Sequence, residues 1–118
     1  MARKITGGRY IPLRKKKLTE VPGKPRLTTL AKDKHKLLKT RGGKSKMVLL
    51  TSESVIVMDP KTKKMKKAKI TEIVRSPANR YFKTQMVKGT IIKTDLGKAR
   101  ITSRPGQEGS ISAVLVEE

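Results

Sequence analysis

The sequence predicts an all-β protein: a small, roughly six-stranded, closed or nearly closed antiparallel barrel with a long, extended, basic N-terminal arm. Two observations predict the barrel. Short runs rich in Val, Ile and Thr recur after residue 44, and turn residues separate them. Closure would also remove exposed sheet edges. With 118 residues, the chain is long enough for one domain plus an appendage. We therefore divide it into an arm, residues 1–43, and a barrel body, residues 44–118.

The arm is expected to stay extended until it meets a partner. It holds three of the six prolines and five of the nine glycines, which interrupt regular structure. Its aliphatic residues come singly and are too sparse to bury a core. Residues 27–39 have only a ragged helical stripe of leucines, so we predict extended chain there, with a strand near residues 36–40.

The body contains six runs of strand length. Apolar and polar residues alternate most cleanly in the last two, which predicts one face in the core and one in solvent. The predicted strands are residues 47–51, 54–58, 67–74, 89–94, 98–103 and 111–116.

Turn residues join these strands. Asp59-Pro60-Lys61-Thr62 is typical of a turn, Asp95-Leu96-Gly97 of a tight loop with glycine at positive φ, and Pro105-Gly106 of a type II turn. Residues 76–80, SPANR, include Pro77, which cannot continue a central strand, so we predict a crossing loop there.

Charge decides the class of partner. The chain has 30 Lys and Arg against 9 Asp and Glu, a formal net charge of +21, so a polyanion is the first partner to consider. Residues 1–43 carry a net charge of +12 and residues 44–118 a net charge of +9, so the charge is densest in the arm. Aromatic residues make up only 3% of the chain, which disfavours base-stacking modules and leaves recognition of phosphates and shape.

Catalytic, metal-binding and membrane roles find little support. The chain lacks cysteine, its acids are scattered, and its longest aliphatic runs are far too short to span a bilayer. The single histidine, His35, lies among charged residues and is more typical of a solvated or RNA-facing side chain than of a catalytic one. We predict no catalytic residue, metal, cofactor, small-molecule substrate or membrane contact.

An ATPase is the enzyme class that one motif suggests. Residues 42–46, GGKSK, resemble the end of a phosphate-binding P-loop. That loop requires a glycine at position 38 and a helix afterwards. Leu38 occupies the position and a strand-like run follows, so nucleotide binding is not predicted.

Two glycine pairs beside arginine are more informative. In residues 6–9, TGGR, and residues 41–43, RGG, glycines would let backbone N–H groups reach phosphates while Arg binds a second phosphate or a base edge. Flexible spacers are the alternative. The basic run 13–17, LRKKK, is an RNA contact, a solvated segment or a localisation signal. The basic run 61–69, KTKKMKKAK, is an RNA contact or a solvated segment. The predicted RNA-binding residues are Arg3, Lys4, Gly7, Gly8, Arg9, Arg14, Lys15, Lys16, Lys17, Lys24, Arg26, Arg41, Gly42, Gly43, Lys44, Lys46, Lys63, Lys64, Arg80 and Arg104.

In order along the chain, TGGR, TRGG, DPKTKKMKKAKI, SPANR and KGTIIKTDLGKARITSRPGQEGSISAVLVEE resemble the archaeal and eukaryotic small-subunit ribosomal proteins of the eighth e-type family. The short length is similar to the archaeal form. The resemblance implies a β-barrel, an N-terminal extension threaded into small-subunit rRNA, and contacts with neighbouring ribosomal proteins. It also implies a structural, non-catalytic role as a monomer within the subunit, in the cytoplasm. RNA-binding roles carry over to residues 6–9 and 41–43, while Lys44 stands where we expect Asn.

Two other classes remain open. A ribosome-assembly factor of related barrel design would bind precursor rRNA and then leave. A DNA-compacting architectural protein fits the charge alone, but the sequence has no evident dimerisation helix or minor-groove wedge.

Overall fold

A computed structural model describes residues 2–11, 13–77 and 84–116. All regular secondary structure in these residues is β, which confirms the predicted class. The strands are β1 Thr28–Thr29, β2 Lys34–Lys39, β3 Ser45–Thr51, β4 Ser54–Met58, β5 Met65–Arg75, β6 Gln85–Met86, β7 Ile91–Thr94, β8 Gly97–Ile101 and β9 Ser112–Leu115.

Five strands form the closed barrel, in the order β4-β5-β7-β8-β9. Each strand is antiparallel to the next, but β4 and β9 run parallel where they close the ring. An odd number of strands that alternate in direction leaves the first and last pointing the same way, so the closing pair must be parallel. The predicted closed barrel is confirmed. The remaining predicted strand, residues 47–51, falls in β3, which belongs to a second sheet, so the barrel has five strands where about six were predicted.

The second sheet has the order β2-β3-β1-β6. β2 and β3 form an antiparallel hairpin, while β1 runs parallel to β3 and antiparallel to β6. β2 matches the strand predicted near residues 36–40. β1 and β6 have two residues each, and neither was predicted, because so short a strand has no measurable alternation.

The chain before residue 27 projects from this body. Every described residue from 2 to 26 is exposed, and we call residues 2–26 the projecting segment. The molecule measures 66 × 39 × 25 Å with a radius of gyration of 20.2 Å, against about 13 Å for a compact chain of this length. β1 and β2 follow this segment and pair with the body. The division into arm and body at residue 43 stays a prediction.

Alternation along the barrel strands places one face of each in the core. On β4, Val55 and Val57 are buried while Ile56 between them points outward, and on β8 Ala99 and Ile101 are buried as predicted. Leu49 of β3 joins the same core, so the second sheet packs against the barrel. The core cluster is Leu49, Val55, Val57, Ala68, Ile70, Met86, Ile92, Ala99, Ile101, Ile111 and Ala113.

Two of the predicted turns are confirmed. The Lys61 amide and the Thr62 hydroxyl both donate to the Asp59 carboxylate, at 3.0 and 2.8 Å, and close the β4–β5 turn. Gly97 has a φ of +126°, in the region that favours glycine. Of the predicted crossing loop, Ser76 and Pro77 follow β5 without strand structure, and residues 78–80 lie outside the described residues.

The type II turn predicted at Pro105-Gly106 is wrong. A type II turn needs positive φ at Gly106, which is not among the positive-φ glycines. Instead, the amides of Gln107 and Glu108 both donate to the Arg104 carbonyl, at 2.9 Å each. Crowding explains the glycine: a Cβ at position 106 would lie 2.8 Å from the carbonyl oxygen of Arg26.

Candidate nucleic-acid interface

The TGGR motif forms the turn of a small hairpin at the start of the projecting segment. Arg3 and Arg9 pair across an antiparallel bridge. The Lys4 amide donates to the Gly8 carbonyl and the Gly7 amide to the Lys4 carbonyl, both at 2.9 Å. Gly7 has a φ of +81°, which a side chain would disfavour. The hairpin therefore holds two exposed arginines side by side, and their mutual repulsion would be relieved by an anion between them.

The TRGG motif forms the turn of the β2–β3 hairpin. The Thr40 amide and hydroxyl donate to the Lys44 carbonyl at 2.7 and 2.8 Å. Gly42 and Gly43 have φ values of +82° and +75°, and no atom would lie within 4 Å of a Cβ on either. These glycines are therefore required by backbone conformation and not by crowding. The turn exposes their backbone beside Arg41, and a strand follows, which excludes the P-loop geometry.

The basic run after Leu13 contains a turn closed by an acid. Arg14 forms a two-point contact with the Glu20 carboxylate, Nη2 to Oε1 at 2.7 Å and Nη1 to Oε2 at 3.1 Å. The Lys17 amide donates to the same carboxylate at 3.1 Å. Arg14 and the Lys17 amide together hold the pKa of Glu20 below its usual value. Arg14, a predicted RNA contact, is thus already paired with an acid of its own segment. The three lysines at 15–17 project from the turn.

The end of the projecting segment is fixed on the body. Lys24 and Arg26 are exposed, and the Arg26 backbone packs directly on Gly106. The contact joins the base of the segment to the 104–110 loop between β8 and β9. The direction in which the segment leaves the body is therefore set by this loop.

The same loop holds the β2–β3 hairpin. His35 Nε2 lies 3.0 Å from the Gly109 carbonyl oxygen, and Lys46 Nζ donates to Gln107 Oε1 at 2.6 Å. Because a carbonyl only accepts, the His35 proton lies on Nε2 in this contact. His35, predicted to be solvated or to face RNA, is exposed but bonds to the loop. Lys46, a predicted RNA contact, is half-buried and bonds to the loop as well.

Asp33 locks β2 to the start of the barrel, a role that was not predicted. Its Oδ1 accepts from the Ser52 hydroxyl at 2.7 Å and the Glu53 amide at 3.0 Å, and its Oδ2 accepts from the Ser54 hydroxyl at 3.1 Å. These bonds, that from Ser52 first, lower the pKa of Asp33. The β3–β4 connection is therefore held by a charged acceptor, which favours a fixed angle between the hairpin and the barrel.

Lys63 and Lys64 occupy the tip of the β4–β5 hairpin, and both are exposed. Lys63 has a φ of +53°, an uncommon conformation for a residue with a side chain. The Thr62 hydroxyl and the Lys61 amide lower the pKa of Asp59, so the turn that presents these lysines is built around a charged carboxylate.

The predicted RNA-binding residues form three groups: the projecting segment, the β2–β3 turn with Lys44, Lys46 and Arg104, and the β4–β5 tip. Those among the described residues are exposed, except half-buried Lys46. Arg80 lies outside the described residues. The prediction did not include several exposed cations on the barrel strands, among them Arg75, Lys93 and Arg100. Alternation around buried Ile92, Ala99 and Ile101 could have located Lys93 and Arg100.

The described part of the chain lacks two further classes of site. It contains no group of three or more His, Asp or Glu residues placed to hold a metal ion. It also has no helix long and apolar enough to cross a membrane.

Comparison with known proteins gives a consistent set of matches. The sequence model of the family described as Ribosomal protein S8e matches residues 1–116. The small ribosomal subunit protein eS8 of Methanospirillum hungatei is 43% identical over 117 residues, covering 98% of this chain and 94% of that protein. The proteins of the same name from Methanosphaerula palustris and Methanococcus aeolicus are 44% and 41% identical, with 98% of this chain and 94% and 93% of those proteins covered. These relatives are archaeal.

Proposed function

Because this chain belongs to the ribosomal protein S8e family, we propose that it is a structural constituent of the small ribosomal subunit that binds and stabilises small-subunit rRNA. The basic extension and the barrel surface make the RNA contacts. The protein acts as a monomer within the subunit, beside neighbouring ribosomal proteins, in the cytoplasmic ribosome. Its role is architectural, without catalysis or a cofactor.

The charge and the exposure of the projecting segment support RNA binding most directly. Residues 2–26 hold nine Lys and Arg and one acid, and all described residues among them are exposed. Such a segment repels itself and buries no apolar surface that would offset the entropy of ordering it. Binding to RNA phosphates supplies the favourable free energy that offsets this entropy, because each cation that neutralises a phosphate releases condensed counterions.

The two glycine turns fix where the protein is positioned along the RNA backbone. Gly7 sits between Arg3 and Arg9, and Gly42 and Gly43 follow Arg41. Each turn brings an open backbone and a guanidinium to an exposed tip, so that one phosphate can approach amide groups while Arg binds the next. Cations alone would bind any polyanion, whereas turns of fixed geometry favour a folded RNA of fixed shape.

Comparison of mature and precursor particles tests this function. Small subunits are washed in high salt, and the protein is quantified by mass spectrometry against a core protein of the same particle. We expect one copy per mature subunit. Absence from mature subunits together with presence on precursor particles would instead identify a ribosome-assembly factor.

The choice of nucleic acid is tested separately. The full chain is titrated with a small-subunit rRNA fragment and with random duplex DNA at the same salt concentration. We expect tighter binding to the rRNA, because the glycine turns and the hairpin angle are fixed by the fold. Equal affinity for the two would favour the DNA-compacting alternative.

A further inference from the structure

The outer wall of the barrel at β7 carries a second cationic surface. In the registers of β5–β7 and β7–β8, Ile91 lies opposite both Arg75 and Arg100. Lys93, two residues along β7, lies opposite Glu72 and Lys98. Residues paired across neighbouring strands share a face of the sheet. Arg75, Lys93 and Arg100 therefore point from one wall, and we call these three residues the β7 surface.

The β7 surface is rigid because its strands are buried on the other side. Ile92 and Ala99, which alternate with these cations, are 0% exposed, and Ile101 is 1% exposed. Arg75 and Arg100 flank β7, so their backbones are about 10 Å apart, two strand spacings. An open groove of about 640 Å³ between them is lined by both arginines, Ile91 and Gly89.

The charges of the β7 surface are not compensated within the described chain. Among residues 2–11, 13–77 and 84–116, no carboxylate forms an ion pair with Arg75, Lys93 or Arg100. Glu72 lies opposite Lys93 in register without coming into ion-pair distance. By contrast, Arg14 and Lys69 are paired with Glu20 and Glu53. Two exposed arginines line the groove, and Lys93 lies beside them on the same face of the sheet. Three uncompensated cations on a rigid strand framework favour an anionic occupant.

The β7 surface also lies away from the β2–β3 turn. β2 and β6 are the two edges of the second sheet, three strand spacings or about 14 Å apart. The β2 edge is marked by the His35–Gly109 bond. The β6 edge is marked by Ser76, whose hydroxyl donates to the Gln85 carbonyl at 2.8 Å and which lines the groove. A ligand in the groove would therefore lie by the β6 edge, on a different part of the surface from one held by the β2–β3 turn at the β2 edge.

We propose that the β7 surface binds the phosphate backbone of a second rRNA segment, distinct from the one bound by the projecting segment and the β2–β3 turn. Arginine forks suit phosphate oxygens, and two of them set about 10 Å apart can engage separate phosphates of one strand. The inference rests on the proposed function and extends it, because a protein with two RNA-binding sides bridges two segments and fixes their separation.

Hydroxyl-radical footprinting of small-subunit rRNA bound to the full chain tests the bridge. The test variant is R75Q/K93Q/R100Q, and the matched control, K15Q/K16Q/K17Q, removes the same charge from the projecting segment. We expect the wild type to protect two separate segments, the test variant to lose one of them, and the control to weaken the other. The salt slope of binding should fall by about 2 to 3 in each case, as for three lost phosphate contacts.

Each other outcome is decisive. An unchanged footprint and salt slope in the test variant would overturn the inference while leaving the proposed function intact, and would point to an acidic protein as occupant. Loss of all protection together in both variants would mean a single RNA segment and overturn the bridge. Wild-type chain that protects no rRNA would overturn the proposed function itself. If the test variant does not fold by circular dichroism, R75K/R100K replaces it, and we expect partial loss of the same protection because charge is kept and the fork removed.

Discussion

Removal of residues 2–26 is the perturbation that best separates the contribution of the projecting segment from that of the body. It deletes nine Lys and Arg and one acid but no strand and no core side chain. The barrel and the second sheet should therefore stay folded, with the thermal unfolding midpoint changed by only a few degrees. A cut at residue 43 would be less informative because it also removes β1 and β2, and with them the hydrogen bonds that Asp33 accepts from Ser52 and Ser54.

The expected loss follows from the count of free cations. Arg14 is held by Glu20, so about eight of the nine cations remain for phosphates. Each contributes about 0.7 to 0.9 to the slope of log affinity against log salt, which gives a predicted decrease in slope of about 6 to 7. Between about 50 and 200 mM salt, the wild type should therefore lose on the order of 10³ to 10⁴ times more affinity than the truncated chain.

Fluorescence anisotropy with a labelled small-subunit rRNA fragment, repeated across this salt range, measures both slopes. Circular dichroism of the truncated chain serves as the folding control. The reasoning would be refuted by a folded truncated chain with the slope of the wild type, because the segment would then make no phosphate contact. A decrease of only 1 or 2 would place most contacts on the body.

Two further predictions concern stability, and a third concerns proteolysis. Gly42→Ala and Gly43→Ala should each lower the free energy of unfolding, measured by urea denaturation, by about 1 kcal/mol, because both glycines have positive φ. The control is Gly23→Ala, at ordinary φ with open space around it, and equal stability of all three variants would contradict the argument. Asp33→Ala should cost about 1 to 2 kcal/mol through its lost hydrogen bonds, with Asp95→Ala as control. Since the folded pKa of Asp33 is lowered, its contribution is complete above about pH 4 and declines as the pH falls through the folded pKa. The difference in stability between wild type and Asp33→Ala should therefore shrink in acid, and an equal difference at about pH 7 and about pH 2 would refute this. Gly106→Ala should displace the Arg26 backbone, whose oxygen would lie 2.8 Å from the new Cβ, and should therefore speed trypsin cleavage after Arg26. The control Gly109→Ala meets the flexible Met47 side chain and should leave the cleavage rate unchanged. Equal cleavage rates in the two variants would show that Gly106 does not hold the base of the segment.

The barrel could be predicted because its signals are local. Period-two alternation and turn residues located β4, β5, β7, β8 and β9 to within a few residues. What the sequence could not show was which sheet each strand joins. Residues 47–51 have the same apolar character as barrel strands, but β3 pairs with β2 and β1. Its partners are decided by packing around Leu49, not by its own composition.

The candidate site likewise has local features that the sequence predicts and long-range contacts that it does not. The glycine turns were predictable because positive φ is a property of a few adjacent residues. The contacts that orient these turns could not be predicted, because they join residues far apart in sequence: Asp33 with Ser52, Lys46 with Gln107, and Arg26 with Gly106. The failed type II turn has the same origin, because the glycine at position 106 makes room for a distant carbonyl. The β7 surface was missed because its cations are spread over three strands.

The parallel closure of β4 against β9 has a consequence for the order of events during synthesis. β4 ends at Met58 and β9 begins at Ser112, so the ring cannot close until more than fifty further residues have left the ribosome that is making them. Such long-range pairing is slow to form. The projecting segment needs no such pairing and emerges first, while the barrel strands still have open edges. On the proposed function, RNA would capture a nascent chain through the projecting segment before the barrel has folded, and this capture would keep the open strand edges away from other chains.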